Sequence, residues 1–384
     1  MSARPQPFDS GRLEDALRTQ RRAAARSVCI NGRFLTQRAS GVQRFAGELV
    51  KALDAELARG HGSHIAEHWQ LLVPPGVEEL PALQCIRVRQ VGRGGGHVWD
   101  QLLRWHCGRN DLLVNLTNGG PVLRGCSLSV IHDAAVYRTP LNFTRGYRSF
   151  HQLLGRLLAL RSHIATVSHF SRQELSEVLS IPAGRIAVVP NGSEHLRGVD
   201  PDASVLQELR LQPQRFFLFI GSPVPNKNLS TAMAAFARLG VPDVCFVLVG
   251  AVDAAVFGQG LQLVPPGVVI AGRLSDAQIA ALLCHARALV FPSLYEGFGI
   301  PPLEAMLHRC PVIASDIPPV REVCGDAVLY FDPSNADALC RRMRQALDET
   351  ALLQLLVERG EQRVAMFSWQ RSAQRLLEAL AAMG

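Results

Sequence analysis

Several features are missing from this 384-residue chain, and each absence closes off a class of protein. No stretch of about 18 uninterrupted apolar residues occurs, which excludes an ordinary membrane-spanning helix. The arginine-bearing start, MSARPQPFDSGRLEDALRTQRRAAARS, has no apolar run behind it. It reads as a mobile polar extension over 1–26, not as a secretory leader. None of the nine cysteines has C-x-x-C spacing, and the count is odd. They read as small buried hydrophobes in a reducing compartment, not as a zinc site. Gly92-Arg93-Gly94-Gly95-Gly96 lacks the GK[ST] ending of a phosphate-binding P-loop and reads as a flexible loop. No G-x-G-x-x-G follows an early strand with an acid about 20 residues further on. A nucleotide-dependent dehydrogenase with paired Rossmann domains therefore lacks its fingerprint.

What is present suits a folded enzyme-sized protein. Hydrophobic residues make up 48% and charged residues 19% of the chain, so a core is easily supplied. The length fits two domains of roughly 150–200 residues. Charge is uneven: residues 1–199 hold 25 Lys+Arg against 15 Asp+Glu, whereas the remainder holds 15 against 18. A basic first half suits an acidic partner, such as an anionic bilayer or a diphosphate-bearing acceptor. Nucleic acid is set aside, because no stacking motif or recognition fold accompanies the charge.

Short apolar runs alternate with helical patterns. The runs at 27–30, 69–74, 85–91, 111–117, 127–133, 163–168 and 185–192 read as buried strands. After a polar interruption over 192–204 the alternation restarts, with strands at 215–222, 244–250, 268–274, 288–293, 311–315 and 327–333. This α/β alternation predicts two doubly wound, Rossmann-like domains, over 27–198 and 199–366. Two such sheets facing one another would form a central cleft suited to a small molecule. The tail over 367–384 reads as a helix crossing back to the first domain, with Ser368 as its N-cap.

The sharpest local pattern is FPSLYEGFGIPPLEAMLHRCPVIASD, residues 291–316. A strand ends, a loop carries Glu296, Gly297, Phe298 and Gly299, and Ile300-Pro301-Pro302-Leu303-Glu304 opens a helix. Proline suits a first helical turn, and glycines let a backbone approach a ligand closely. The helix start offers free N–H groups and a positive dipole end to a diphosphate or a sugar hydroxyl. Two carboxylates at this spacing can grip one polyhydroxyl ligand at two points. The plainer alternative makes Glu304 a helix-start charge and Glu296 a surface loop residue.

Four further positions have the same two-sided character. Lys227 follows a strand and a loop, and a cation there can neutralise a leaving diphosphate; it can also be a solvated loop lysine. Gly41 opens a long helix after the first strand, with Ser40 as a possible cap; a bare helix start explains it equally. His132 and Asp133 end a strand, where ligands bind in such sheets; His132 can equally be a locally hydrogen-bonded histidine, and Asp133 orients it or ends the strand. Arg273 ends another strand and suits stacking on a base, or it is a surface arginine.

The stretch Glu296–Glu304 matches E-G-F-G-x-P-x-x-E in full and resembles the E-x7-E signature of retaining glycosyltransferases of the GT-B fold, family four of that class. The flanking FPS and PVIASD match too. Similarity extends to Trp99-Asp100-Gln101, Asn118-Gly119-Gly120-Pro121 and Val167-Ser168-His169-Phe170-Ser171, covering nearly everything after residue 27. It is strongest with bacterial enzymes of surface-polysaccharide assembly, often mannosyltransferases. The resemblance implies that Glu296 binds the donor sugar and Glu304 the nucleotide ribose. Phe298, Gly299 and Ile300 would lie along the sugar and phosphates, Gly41 near the donor phosphate, His132 near the transferred sugar and Arg273 beside the base. Where the family often has an arginine after the glycine, or an arginine before the lysine, this chain has Ser222 and Asn226. Lys227 keeps its place, one cation of the usual pair is absent, and Ser222 offers a hydrogen bond instead.

The implied reaction is a front-face, retaining transfer of a hexose, mannose favoured, from a nucleotide-diphosphate sugar to a glycan or polyprenyl-diphosphate-linked acceptor. It needs no cofactor and no metal. The expected location is cytoplasmic, peripheral on the inner face of the membrane. There the basic, leucine-rich helix over 145–164 would meet anionic lipid. The missing cation leaves a second reading, a non-catalytic nucleotide-sugar or glycan-binding relative.

Overall fold

The computed structural model describes residues 27–38, 40–250 and 265–383. The extension predicted over 1–26 lies outside the described residues. The seven early runs become β1 (Ser27–Asn31), β2 (His68–Val73), β3 (Ile86–Gln90), β4 (Leu112–Asn115), β5 (Ser127–Val130), β6 (His163–Thr166) and β7 (Ile186–Val188). The six later runs become β8 (Phe216–Ile220), β9 (Cys245–Val249), β10 (Val268–Gly272), β11 (Ala288–Phe291), β12 (Val312–Ser315) and β13 (Leu329–Phe331). Their uninterrupted apolar character has a simple cause. A parallel strand with helices on both faces has no wet side, so alternation is lost. In β8, Phe216, Phe217, Leu218 and Phe219 are each at most 2% exposed.

The first sheet has the order β3-β2-β1-β4-β5-β6-β7 and the second β10-β9-β8-β11-β12-β13. The described pairings are parallel, for example Leu289 of β11 beside Leu218 of β8. Both orders reverse direction beside their first strand, between β1 and β4 and between β8 and β11. Loops leaving the carboxyl ends of those two neighbours diverge, which opens a crevice where ligands bind in doubly wound sheets.

Helices α1 (Gly41–Ala58), α2 (Gly96–Leu102), α3 (Arg145–Arg161), α4 (His169–Leu179), α5 (Leu229–Leu239), α6 (Asp276–His285), α7 (Ile300–Leu307), α8 (Pro318–Cys324), α9 (Ala336–Asp348), α10 (Thr350–Val364) and α11 (Trp369–Ala381) connect or flank the strands. Ser368 caps α11 as expected, its Oγ accepting from the Arg371 amide at 3.1 Å. Ser40 does not cap α1 through its side chain; its hydroxyl donates to Gln43 instead. Helix α3 stops at Arg161, short of the predicted 164, because His163 already belongs to β6.

Contacts divide the chain into two compact units. One lies within Met1–Ile131, Leu154–Ala165 and Ala373–Gly384; the other comprises His132–Leu153 and Thr166–Ser372. The division therefore departs from the single boundary at 198/199 read from the sequence. Within the first unit, α11 returns to α1, where Gln374 Nε2 donates to Glu56 Oε2 at 3.0 Å. In the second unit, the segments after β5 and β6 are held by the loop that follows β11, as described below.

At the carboxyl end of β1 the first unit buries a polar network. Arg33 Nε lies 3.0 Å from Asp100 Oδ2, with side chains 6% and 0% exposed. Asn31 Nδ2 donates to Asp100 Oδ1 at 2.9 Å and to Asn115 Oδ1 at 3.1 Å. Truncating one partner of a buried ion pair strands the other charge, which costs far more than the pair is worth. Asp100→Ala is expected to lower stability by about 3–5 kcal/mol, read by chemical denaturation.

Candidate active site

The crevice between β8 and β11 holds a largely buried charged pair of the second unit. Lys227 ends a short 3-10 turn, Pro225–Lys227, after β8. Glu296 lies in the loop after β11. Lys227 Nζ meets Glu296 Oε1 at 2.6 Å, with side chains 23% and 11% exposed. The same ammonium stands 5.6 Å from the centre of the Phe291 ring. Lys227 is one of only two lysines in a chain with 40 basic residues. A compact ammonium on a flexible stem can swing between a carboxylate and a phosphate, which a forked guanidinium does less readily. Asn228 fixes the turn behind it, its Nδ2 donating to the Pro292 carbonyl at 3.0 Å and the Pro333 carbonyl at 2.8 Å. Asn228 thereby ties the loop after β8 to the loops after β11 and β13.

The Glu296 loop is also held from the other side. Ser168 Oγ donates to the Gly297 carbonyl at 2.6 Å. Ser171 Oγ lies 3.0 Å from that carbonyl and 3.2 Å from the His132 carbonyl, within reach of either. A Cβ on Gly297 would stand 2.4 Å from the His132 carbonyl oxygen and 3.1 Å from Asp133 Cβ, so no other residue fits. The serines are themselves anchored at the start of α4. Ser168 Oγ accepts from the Ser171 amide at 2.9 Å, and Glu322 of α8 accepts from the His169 and Phe170 amides at 2.7 and 2.8 Å. These bonds satisfy N–H groups that a helix start otherwise leaves bare.

Past Glu296 the chain turns at Gly299, whose φ of 106° is open to glycine and strained for other residues. Helix α7 begins there with prolines in its first turn and no side-chain cap. Phe298 is buried against Phe367, with ring centres 5.6 Å apart. Glu304, one turn inside α7, is only 7% exposed. Its Oε1 lies 2.7 Å from His195 Nε2.

Asp133 was read in the sequence as an orienting or strand-ending residue. In the structure it stands against the Glu296-Gly297 backbone, with Oδ1 accepting from the Ala135 amide at 2.8 Å. Burial pushes its carboxyl above the ordinary aspartate range, and the Glu296 charge adds to the push. The Ala135 amide and the Lys227 charge work in the other direction. His132 is buried beside it, 7% exposed.

Not every predicted residue joins this cluster. Ser222 is exposed at the end of β8 and Arg273 is exposed after β10. Among the described residues, no hydrogen bond or ion pair links either to Lys227 or Glu296. Gly41 belongs to the first unit, as the first residue of α1. One D-x-D spacing exists, at Asp200-Pro201-Asp202. There Asp202 Oδ1 accepts from the Ser204 amide at 3.1 Å and the Ser204 hydroxyl at 2.6 Å.

Comparison with known proteins identifies the family. A family model described as "Glycosyl transferases group 1" matches residues 205–363, a span that contains Lys227, Glu296 and Glu304. The O-antigen chain mannosyltransferase B of Escherichia coli is 30% identical over 268 residues, which cover 66% of this chain and 69% of that protein. The chain belongs to the group 1 glycosyl transferases. Solved structures share its fold at low identity. A sucrose-phosphate synthase from Thermosynechococcus elongatus superposes with a TM-score of 0.70 at 19% identity, covering 91% of this chain and 97% of that one. Anabaena HepE, solved in complex with UDP and glucose, gives 0.69 at 15% identity, covering 93% and 100%.

In this glycosyltransferase, the sequence points to both glutamates and the lysine but not to three of their contacts. It does not show that Lys227 and Glu296 pair, that Asp133 sits against Glu296, or that His195 reaches Glu304. His195 lies in the polar interruption over 192–204, whose composition signals a linker. Its one distinguishing mark in the sequence is a lone histidine in a segment otherwise suited to solvent. The tight Gly297 contact generates a direct test. Gly297→Ala forces a methyl into the His132 carbonyl and should lower stability by about 1–3 kcal/mol in thermal or chemical denaturation, with a matching loss of ligand binding.

Proposed function

We propose that this glycosyltransferase moves a hexose, with mannose favoured, from a nucleoside-diphosphate sugar to a glycan or polyprenyl-diphosphate-linked acceptor, with retention of anomeric configuration. The observation that carries the reading is the Lys227–Glu296 pair at the β8/β11 crevice, beside the uncapped start of α7. Glu296 takes hydroxyls of the transferred sugar and Glu304 takes the ribose. The α7 amides and Lys227 receive the diphosphate as its charge grows on departure, where fixed donors contribute most. Lys227 exchanges one oxyanion for another as the donor enters. His132 supplies a polar contact to the sugar, and the departing phosphate deprotonates the acceptor from the same face. No protein nucleophile and no metal take part.

Two similarities support the sugar and the donor class. The related Escherichia coli protein is named as an O-antigen mannosyltransferase. HepE, of the same fold, holds UDP and glucose. Release of nucleoside diphosphate should be fastest with GDP-mannose in a screen that includes UDP-glucose, and unchanged by EDTA. Glu296→Ala should reduce turnover by about a hundredfold or more at unchanged stability. Near-normal turnover in both Glu296→Ala and Glu304→Ala would refute the assignment.

The acceptor side of the proposal is an anionic membrane surface. No described helix is long and apolar enough to cross a membrane. Around α3, however, Leu141, Tyr147, Phe150, Leu153 and Leu160 are exposed, at 93%, 49%, 45%, 58% and 77%. Arg145, Arg148, Arg156 and Arg161 share that helix. Apolar side chains set among arginines suit the headgroup boundary of an anionic bilayer, where each basic residue contributes roughly 1 kcal/mol. In liposome flotation the protein should rise with vesicles containing acidic phospholipid and stay down with neutral ones. Leu153→Glu should abolish the difference.

A further inference from the structure

We propose that His195 is a positioning residue for Glu304, so that the histidine–glutamate pair, and not the glutamate alone, forms the ribose-binding element of the donor site. The proposal rests on the reading of Glu304 as the ribose ligand.

The two side chains meet at 2.7 Å and are 1% and 10% exposed. A carboxylate so enclosed is costly unless a donor faces it, and His195 Nε2 is that donor. The bond occupies one carboxylate oxygen and fixes the plane of the group, which leaves the second oxygen for a hydroxyl. The remaining ring atom strengthens the case for a functional role. His195 Nδ1 is buried and has no hydrogen-bond partner among the described residues. An imidazole kept only for packing would leave that nitrogen as a net cost, and an aliphatic side chain would fill the same space without it.

The backbone that presents His195 is itself built rigidly. A Cβ on Gly192 would stand 2.4 Å from the Trp369 amide nitrogen, so the chain passes directly beneath the start of α11. Glu194 Oε1 accepts from that same amide at 2.6 Å, and Glu194 Oε2 accepts from Ser193 N at 3.1 Å. Ser372 Oγ donates to the Pro190 carbonyl at 2.6 Å. Buried Asn191 and Ser193 complete a segment that the sequence suggests is a linker. The three-residue turn Glu194–Leu196 then aims the imidazole at α7. Positioning by a rigid neighbour is what a ligand-gripping carboxylate requires, because a loosely held one loses binding to its own freedom.

The test uses the full chain and calorimetric titration with GDP and UDP, each alongside its 2′-deoxy and 3′-deoxy counterparts. The expected result has four parts. Glu304→Ala weakens the preferred ribonucleotide about tenfold to a hundredfold and removes the preference over the deoxy forms. His195→Ala does the same to within a few-fold. His195→Gln, which keeps a side-chain N–H for Glu304, retains most of the preference. The double variant binds no worse than Glu304→Ala, since both act through one interaction. A general loss of structure would weaken ribo and deoxy forms alike, which separates positioning from stability. If His195→Ala fails to fold, His195→Phe keeps the ring volume without the donor and serves in its place. Wild-type ribose preference in a folded His195→Ala or His195→Phe, with Glu304→Ala impaired, overturns the inference and leaves the Glu304 reading intact. Wild-type preference in Glu304→Ala overturns that reading and the inference with it.

Discussion

The carbonyl of Gly297 is the point on which the site depends. It accepts from Ser168 and lies within reach of Ser171, while its Cα packs against the His132 carbonyl with no room for a side chain. Polar backbone buried this closely must be satisfied or it costs free energy. Here the satisfaction comes from hydroxyls at the start of α4, and Glu322 supplies what that helix start still needs. The direction of Glu296, one residue earlier, follows from this arrangement. So does the entry angle of α7, and through it the place of Glu304. A loop of one glutamate, one phenylalanine and two glycines would otherwise have wide backbone freedom.

Each carboxylate of the cluster is then set by its neighbour. Glu296 faces Lys227, Glu304 faces His195, and Asp133 is pressed against the Glu296 loop, where burial raises it. The three environments differ in kind: a cation on a flexible stem, a rigid imidazole and an enclosed corner. Groups of one chemical type thereby acquire different capacities. Lys227 can be drawn away by a phosphate, whereas His195 cannot leave without breaking the segment around Gly192. Exchange on one side and fixity on the other suit a site where charge grows on a diphosphate while the attached nucleoside stays held. Where the resemblance implies a second cation beside the lysine, the chain has Ser222 and Asn226, so in the proposed reaction the phosphate charge falls more heavily on Lys227 and the α7 amides.

The architecture was readable because parallel strands covered on both faces must be apolar throughout. VCFVLVG and ALVFPS carry no competing pattern, and every run so read is a strand. Glu296 and Glu304 were readable for a local reason, since glycines, prolines and two acids fall within nine consecutive residues. The companions were not. Nothing within a few positions of Asp133 or His195 names a partner 100 or more residues away, and a buried histidine in a polar segment looks like any surface histidine. The division into units was hidden similarly. Ser168 and Ser171 look like a helix cap, which they are, and only the folded chain reveals that the same hydroxyls hold Gly297.

The most direct test of the account is a crystal structure of the protein with an unhydrolysed nucleoside-diphosphate sugar. The hexose hydroxyls are expected on Glu296, the ribose on Glu304 with the His195 bond intact, and the diphosphate at the α7 start with Lys227 turned towards it. A donor bound away from the β8/β11 crevice, or one that leaves the Lys227–Glu296 pair untouched, would contradict it.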